Sequence, residues 1–227
     1  TLTEQIVASH SEIIGAGEVG FASDMIKQAS ELTGVPFPES IESLTIEQAR
    51  QLRKTYLTRM VERFGQSRLV VDKNPMNFNF LGAISTILPE AKFLYCRRDP
   101  MDNCVSIFRL PFDDSQRYAH DLSALGHYYL QHVKLMEHWI ASYPDQILTV
   151  SYEDTVADIE TQARHMLDFV GVDFQEQVLS FYATKRIVMT PSSEQVRQPI
   201  YNSSVNSWRR YGTALRPLMQ ALGGVHE

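Results

Sequence analysis

Two short stretches of this chain carry residue types whose spacing suits the handling of a phosphate-like anion. Lys73 follows the apolar run Leu69-Val70-Val71, and Arg97-Arg98 follow Phe93-Leu94-Tyr95-Cys96 and lead into Asp99-Pro100. Asp followed by Pro is a good helix start, because Asp caps and Pro has the right φ for the first helical position. The basic pair therefore stands at a helix N-terminus, where free N–H groups and the dipole attract anions. Ser106 comes eight residues after Arg98, about two helical turns on. A guanidinium fork and a hydroxyl together suit one phosphate group. The plainer reading of Arg98 is a pair with Asp99 or a surface carboxylate.

Those residues need a scaffold that brings strand ends to one edge. The chain has 227 residues, room for one α/β domain, and its 44% hydrophobic and 21% charged residues fit a globular protein. Acidic residues number 27 against 21 basic ones, a formal net charge of −6. General attraction to nucleic acid is therefore not expected, and any bound anion needs a local basic cluster. No apolar run reaches the length of a membrane helix, so no membrane span is expected. Cys96 and Cys104 are too few for a disulfide framework or a zinc site and fit a reducing compartment.

Apolar spacing predicts helices through Leu2, Ile6 and Val7 up to Ser9-His10-Ser11, over Phe21–Leu32 and over Thr45–Phe64, the last with Thr45 and Gln48 placed as a capping box before Gly65. A helix is predicted through Phe78, Leu81 and Ile87, and another from Pro100. Long helices are predicted over Ala119–Ser142 and Glu153–Val170, with a last one from Trp208. Buried strands are predicted at Leu69–Val71, Phe93–Cys96 and Ile147–Val150. Strands alternating with helices imply a central parallel sheet flanked by helices, with ligands beyond the carboxyl ends of the strands.

In this order, Lys73-Asn74-Pro75, the run from Phe93 to Pro100 and Ser106 resemble the sulfotransferase pattern around the 3′-phosphate of phosphoadenylyl sulfate (PAPS). The likeness is greatest to the branch that includes tyrosylprotein sulfotransferases and bacterial sulfotransferases with tetratricopeptide repeats. Thr1 to His10 resembles the helix after the family's phosphosulfate loop, and Gln195 to Trp208 its C-terminal cofactor segment. The resemblance implies a P-loop-like three-layer sandwich over residues 1–227 that moves a sulfuryl group from PAPS to a hydroxyl acceptor, a tyrosine or a small molecule. It implies Glu18 as the base, Lys73 as the charge stabiliser and Ser192 as a holder of the transferred group. Thr1, Arg98, Ser106, Tyr152 and Ser193 are the implied nucleotide contacts, with no metal.

Thr1 coincides with the last residue of the phosphosulfate loop, so the sequence is expected to be truncated before it. Ser207 stands where the branch has a lysine before its late tryptophan, leaving Arg209 or Arg210 as substitutes and Arg109 as a further nucleotide contact. Gly15 and Val71 replace the cysteines of lumenal members, which points to a cytoplasmic protein. An upstream helical-repeat domain and a homodimer belong to the same set of expectations.

Two other enzyme classes compete. Gly15-Ala16-Gly17-Glu18-Val19-Gly20 satisfies the dinucleotide pattern G-x-G-x-x-G, although a helix rather than a clean βαβ unit is expected around it. A P-loop kinase requires G-x-x-x-x-G-K-[ST], which is missing from the sequence. A nucleotide-binding module without turnover is the non-enzymatic alternative. His120, His127 and His138 fall near one helix face without the i, i+4 spacing of a metal helix, and His10 is read as structural.

Overall fold

A computed structural model describes residues 1–184 and 195–224, apart from the side chains of residues 114, 115 and 195. Its helices are α1 (Leu2–Val7), α2 (Phe21–Thr33), α3 (Glu39–Glu42), α4 (Ile46–Phe64), α5 (Leu81–Ile87), α6 (Pro100–Phe108), α7 (Leu122–Ser142), α8 (Tyr152–Ala157), α9 (Ile159–Val170) and α10 (Arg216–Ala221). The strands are β1 (Ile13–Gly17), β2 (Leu69–Asp72), β3 (Phe93–Arg97) and β4 (Ile147–Ser151), and 3-10 turns fill several connections. β1 pairs with β2 in parallel, and β3 neighbours β4. The mixed α/β class with parallel strands expected from the sequence is present. Among the described residues no helix is long and apolar enough to cross a membrane.

The chain forms two compact units, Thr1–Phe93 with Ala163–Pro199, and Leu94–Gln162 with Ile200–Glu227. In the first, α2 and α4 bury Met25, Ala29 and Leu52 against Ile84 and Ile87 of α5. α4 starts as its sequence dictates: the Thr45 hydroxyl accepts from the Gln48 N–H while the Gln48 side chain accepts from the Thr45 N–H. In the second unit, Met101, Cys104 and Val105 of α6 pack with Leu125 and Tyr129 of α7 and Leu218 beside them. Burial pushes the Cys104 thiol up to about 12. Gly126 lets α10 lie close against α7, since a Cβ there would fall 2.7 Å from the Ala221 Cβ.

Several elements differ from the sequence expectation: Phe78 lies in a 3-10 helix (Pro75–Phe80) before α5, and the stretch from Trp208 is 3-10 (Ser207–Leu215) before α10. β1 is not among the strands predicted from the sequence, yet it runs from Ile13 through Gly17 on its ladder with β2. The expected helix over Glu153–Val170 is two helices. Asp158, at φ −146° and ψ 84°, ends α8, and its carboxylate accepts from the Thr161 N–H to start α9. Ala119 and His120 end a 3-10 helix (Asp114–His120) instead of opening α7, because Asp121 takes the cap position and accepts from the Ala124 N–H.

Candidate active site

In the first unit, the site is built by the ends of β1 and β2. The ladder pairs Ile13, Ile14 and Gly15 with Leu69, Val70 and Val71, then slips so that Gly17 faces Asp72. Gly17 sits at φ 68°, a conformation that favours glycine, and the irregularity turns the following residue out of the strand. Two bonds then tie the exits together: Lys73 N–H donates to the Gly17 carbonyl at 3.0 Å, and Asn74 Nδ2 to the Val19 carbonyl at 3.4 Å. Glu18 and Lys73 project from this frame, and their side chains form an ion pair. Glu18 is 40% exposed and Lys73 17%. The residues proposed as base and charge stabiliser, 55 positions apart, thus meet.

Other carboxylates of the same unit are already engaged. Glu4, 3% exposed, accepts from the Gly17 N–H at 2.9 Å. Asp72 accepts from the Tyr56 hydroxyl at 2.8 Å and from Asn77 Nδ2 at 3.3 Å. Burial is the main force raising the Asp72 carboxyl above its ordinary value; the two hydrogen bonds pull it down, and the Glu4 charge adds to the rise. Burial and the Asp72 charge hold the Tyr56 phenol well above the usual tyrosine range.

The Tyr56 shift has a definite sign. The folded state keeps a proton that the unfolded chain releases near pH 10, so this stabilisation is complete below that pH and lost as pH rises through the alkaline range. Tyr56→Phe is expected to make the fall of the urea midpoint between about pH 9 and about pH 11 shallower by one proton. Equal slopes in the two proteins would show that the phenol is not held this way.

The second unit builds a cluster around Arg98. Its guanidinium lies 4.7 Å over the ring of Tyr152, the first residue of α8, and Nη2 donates to the Ser204 carbonyl at 2.6 Å. The side chain is 20% exposed, and its buried Nε has no hydrogen-bond partner among the described residues. Glu153 Oε1 accepts from the Asp99 N–H at 2.9 Å, fixing the turn after Arg98. Asp99 caps α6 by accepting from the Asp102 N–H, as its sequence predicted, so it is not the expected partner of Arg98. Burial raises the Tyr152 phenol, opposed by a hydrogen bond with Ser204 and the Arg98 charge.

Sequence reasoning missed Asp102. It has no exposed side-chain surface and accepts from the Asn206 N–H at 2.6 Å, the Ser207 hydroxyl at 2.8 Å and the Trp208 N–H at 2.9 Å. Its carboxylate is 3.9 Å from Arg98 Nη2. These partners lie 104 to 106 residues away, so no local pattern announces them. Ser106 is exposed on α6, Arg209 stacks on Trp208 and is exposed, and Thr1 stands at the N-cap of α1 without a side-chain cap bond. Ser192 and Ser193 lie outside the described residues. His10 is buried, its Nε2 bonds the Asp173 carbonyl, and its Nδ1 accepts from the Glu12 N–H.

The dinucleotide motif meets a better setting than expected, since β1 carries its first glycines and Gly20 is the N-cap of α2. Its chemistry is nevertheless wrong for a pyrophosphate. The Gly17 N–H that would face the anion is occupied by the buried Glu4 carboxylate. Among the described residues no group of three His, Cys, Asp or Glu side chains is placed to hold a metal ion.

A relative from Aquifex aeolicus (strain VF5), described as an uncharacterized protein, is 35% identical over 231 residues, covering 98% of this chain and 30% of its own length. The chain thus spans less than a third of that relative. The sulfotransferase domain from the Synechococcus PCC 7002 olefin synthase superposes with a TM-score of 0.66 at 22% identity, over 100% of this chain and 90% of that one. The sulfotransferase domain from the curacin biosynthetic pathway superposes with a TM-score of 0.61 at 16% identity, over 97% and 92%. The fold is therefore the P-loop-like α/β fold of sulfotransferase domains. A model described as the sulfotransferase family matches residues 1–176, and with that match over most of its length the chain belongs to the sulfotransferase family.

Proposed function

We propose that residues 1–227 act as one sulfotransferase domain that moves a sulfuryl group from PAPS to a hydroxyl acceptor, in a cytoplasmic protein. The observation that carries this reading is Arg98. Its guanidinium lies over the Tyr152 ring and is anchored at one end, while its buried Nε has no hydrogen-bond partner among the described residues. An unsatisfied buried donor on a cation costs free energy until an acceptor arrives, and a phosphate oxygen is a suitable one. The donor set therefore fits the nucleotide, with Tyr152 and Ser106 as further contacts. Thr1 and Ser193 are kept as proposed contacts on the resemblance alone, as is Ser192 as a catalytic group.

PAPS, when bound, supplies the sulfuryl group and a phosphate leaving group. Glu18, projecting from the β1–β2 frame and exposed to solvent, takes the proton from the acceptor oxygen as that oxygen attacks in line. Lys73 is tied by its backbone to Gly17 and carries the positive charge that offsets charge growing on the departing oxygen. The Glu18–Lys73 ion pair supports this assignment, because one frame presents a base and a cation side by side.

Calorimetric titration of the full chain with 3′,5′-bisphosphoadenosine, NAD and ATP tests the reading. The bisphosphate is expected to bind tightest. Tightest binding of NAD would move the protein to dinucleotide chemistry, tightest binding of ATP to a kinase, and no heat with any of them would remove the nucleotide site.

A further inference from the structure

Arg98 is held less by its own neighbours than by a segment more than a hundred residues away, and one buried carboxylate fixes that segment. Asp102, one helical turn beyond Arg98, accepts three hydrogen bonds from Asn206, Ser207 and Trp208. Asn206 adopts φ 56°, a left-handed conformation uncommon outside glycine, at the point where the chain turns onto the carboxylate. Just before that turn, the Ser204 carbonyl receives Arg98 Nη2 at 2.6 Å. The Tyr152 ring lies under the guanidinium, its centroid 4.7 Å from Arg98 Cζ. A flexible arginine is thereby reduced to one orientation, with Nε left over.

We propose that Asp102 is a positioning residue of the anion site: by latching residues 206–208 it places the Ser204 carbonyl, which sets the direction in which Arg98 presents Nε. The idea rests on the sulfotransferase reading for the identity of the ligand, but not for the placement of the guanidinium. A carboxylate is needed because all three groups facing it are donors, and an acceptor-only side chain satisfies them together. The distance of 3.9 Å to Arg98 Nη2 makes Asp102 a charge partner of the arginine but leaves its oxygens to the latch. Arg98 keeps its hydrogen-bonding capacity for Ser204 and for the ligand.

Asp102→Asn tests this in the full chain, because the amide turns a donor toward a donor and breaks part of the latch. The readout is the side-chain Nε–H resonance of Arg98 in a 15N-labelled sample, assigned by its loss in Arg98→Lys. In Asp102→Asn it is expected to move to the position of a free arginine side chain or vanish by solvent exchange. The dissociation constant for 3′,5′-bisphosphoadenosine is expected to rise about tenfold or more. In the Arg98→Ala background, Asp102→Asn should weaken the nucleotide no further.

An unmoved Arg98 resonance, with only a lower melting temperature, would overturn the proposal and make Asp102 a fold residue alone. An equal loss of affinity in both backgrounds would overturn it too. Should the resonance move while the wild-type chain binds no bisphosphate, the nucleotide reading fails and the positioning role is upheld. If Asp102→Asn does not fold, Ser207→Ala keeps the carboxylate and removes one of its donors. It should shift the same resonance by less, and no shift there would also sink the idea.

Discussion

Glu18→Gln is expected to lower turnover with PAPS and a phenolic acceptor by about 10²–10⁴-fold, while affinity for 3′,5′-bisphosphoadenosine stays close to that of the unaltered chain. Glutamine has nearly the same shape and keeps an oxygen for the Lys73 ammonium, but it cannot take the acceptor's proton. The substitution therefore leaves the frame of Gly17, Lys73 and Asn74 in place, since that frame is made by backbone and Asn74 bonds. It also leaves the core in place, because the Glu18 side chain is 40% exposed. The loss should appear in kcat, with KM for PAPS little changed, as expected when an interaction made in the transition state is removed.

Three other acids of this unit are poor substitutes: Glu4 is buried on the Gly17 N–H, Asp72 is held by Tyr56 and Asn77, and Glu12 pairs with Arg68. Initial rates for the two proteins decide the matter. Full turnover in Glu18→Gln would mean that a different group accepts the proton.

How much of this was readable beforehand depended on distance along the chain. The capping box of α4 and the Asp99–Pro100 start of α6 are local devices, written within four residues, and both formed as the sequence predicts. β1 was not readable, because Gly15-Ala16-Gly17 has no strand preference of its own. Pairing with Leu69–Asp72 makes it a strand, an effect of context that single-sequence propensity does not carry. The break at Asp158 was hidden for a related reason: an aspartate inside a helical pattern reads as a surface residue until its carboxylate is seen capping α9.

The candidate site divides in the same way. Lys73 and Arg98 were noticed as basic residues at strand exits, a pattern that needs no partner. That Lys73 meets Glu18 and that Arg98 lies over Tyr152 are contacts across about fifty residues. They were reachable only through resemblance to sulfotransferases. Asp102 had neither route, since its donors come from the far end of the chain.

Arg98→Ala is expected to weaken binding of 3′,5′-bisphosphoadenosine by about 1.5–3 kcal/mol, roughly 10- to 150-fold in dissociation constant, the range for hydrogen bonds to a charged group. Calorimetry on a variant whose melting temperature is also measured checks it, because a loss caused by unfolding would be mistaken for a lost contact. Folding should survive: Asp102 keeps its three donors without Arg98, and the buried cluster of Met101, Leu125 and Leu218 does not involve the guanidinium.

Arg98→Lys separates charge from geometry. Lysine keeps the positive charge but has neither the planar face that lies on Tyr152 nor a fork that can bind the Ser204 carbonyl with one nitrogen and a phosphate with another. If charge alone held the nucleotide, lysine would restore affinity. If the fork matters, as the partnerless Nε implies, lysine recovers only part of it. Unchanged affinity in a folded Arg98→Ala protein would place the anion elsewhere, and the orphaned donor would then have no role in nucleotide binding.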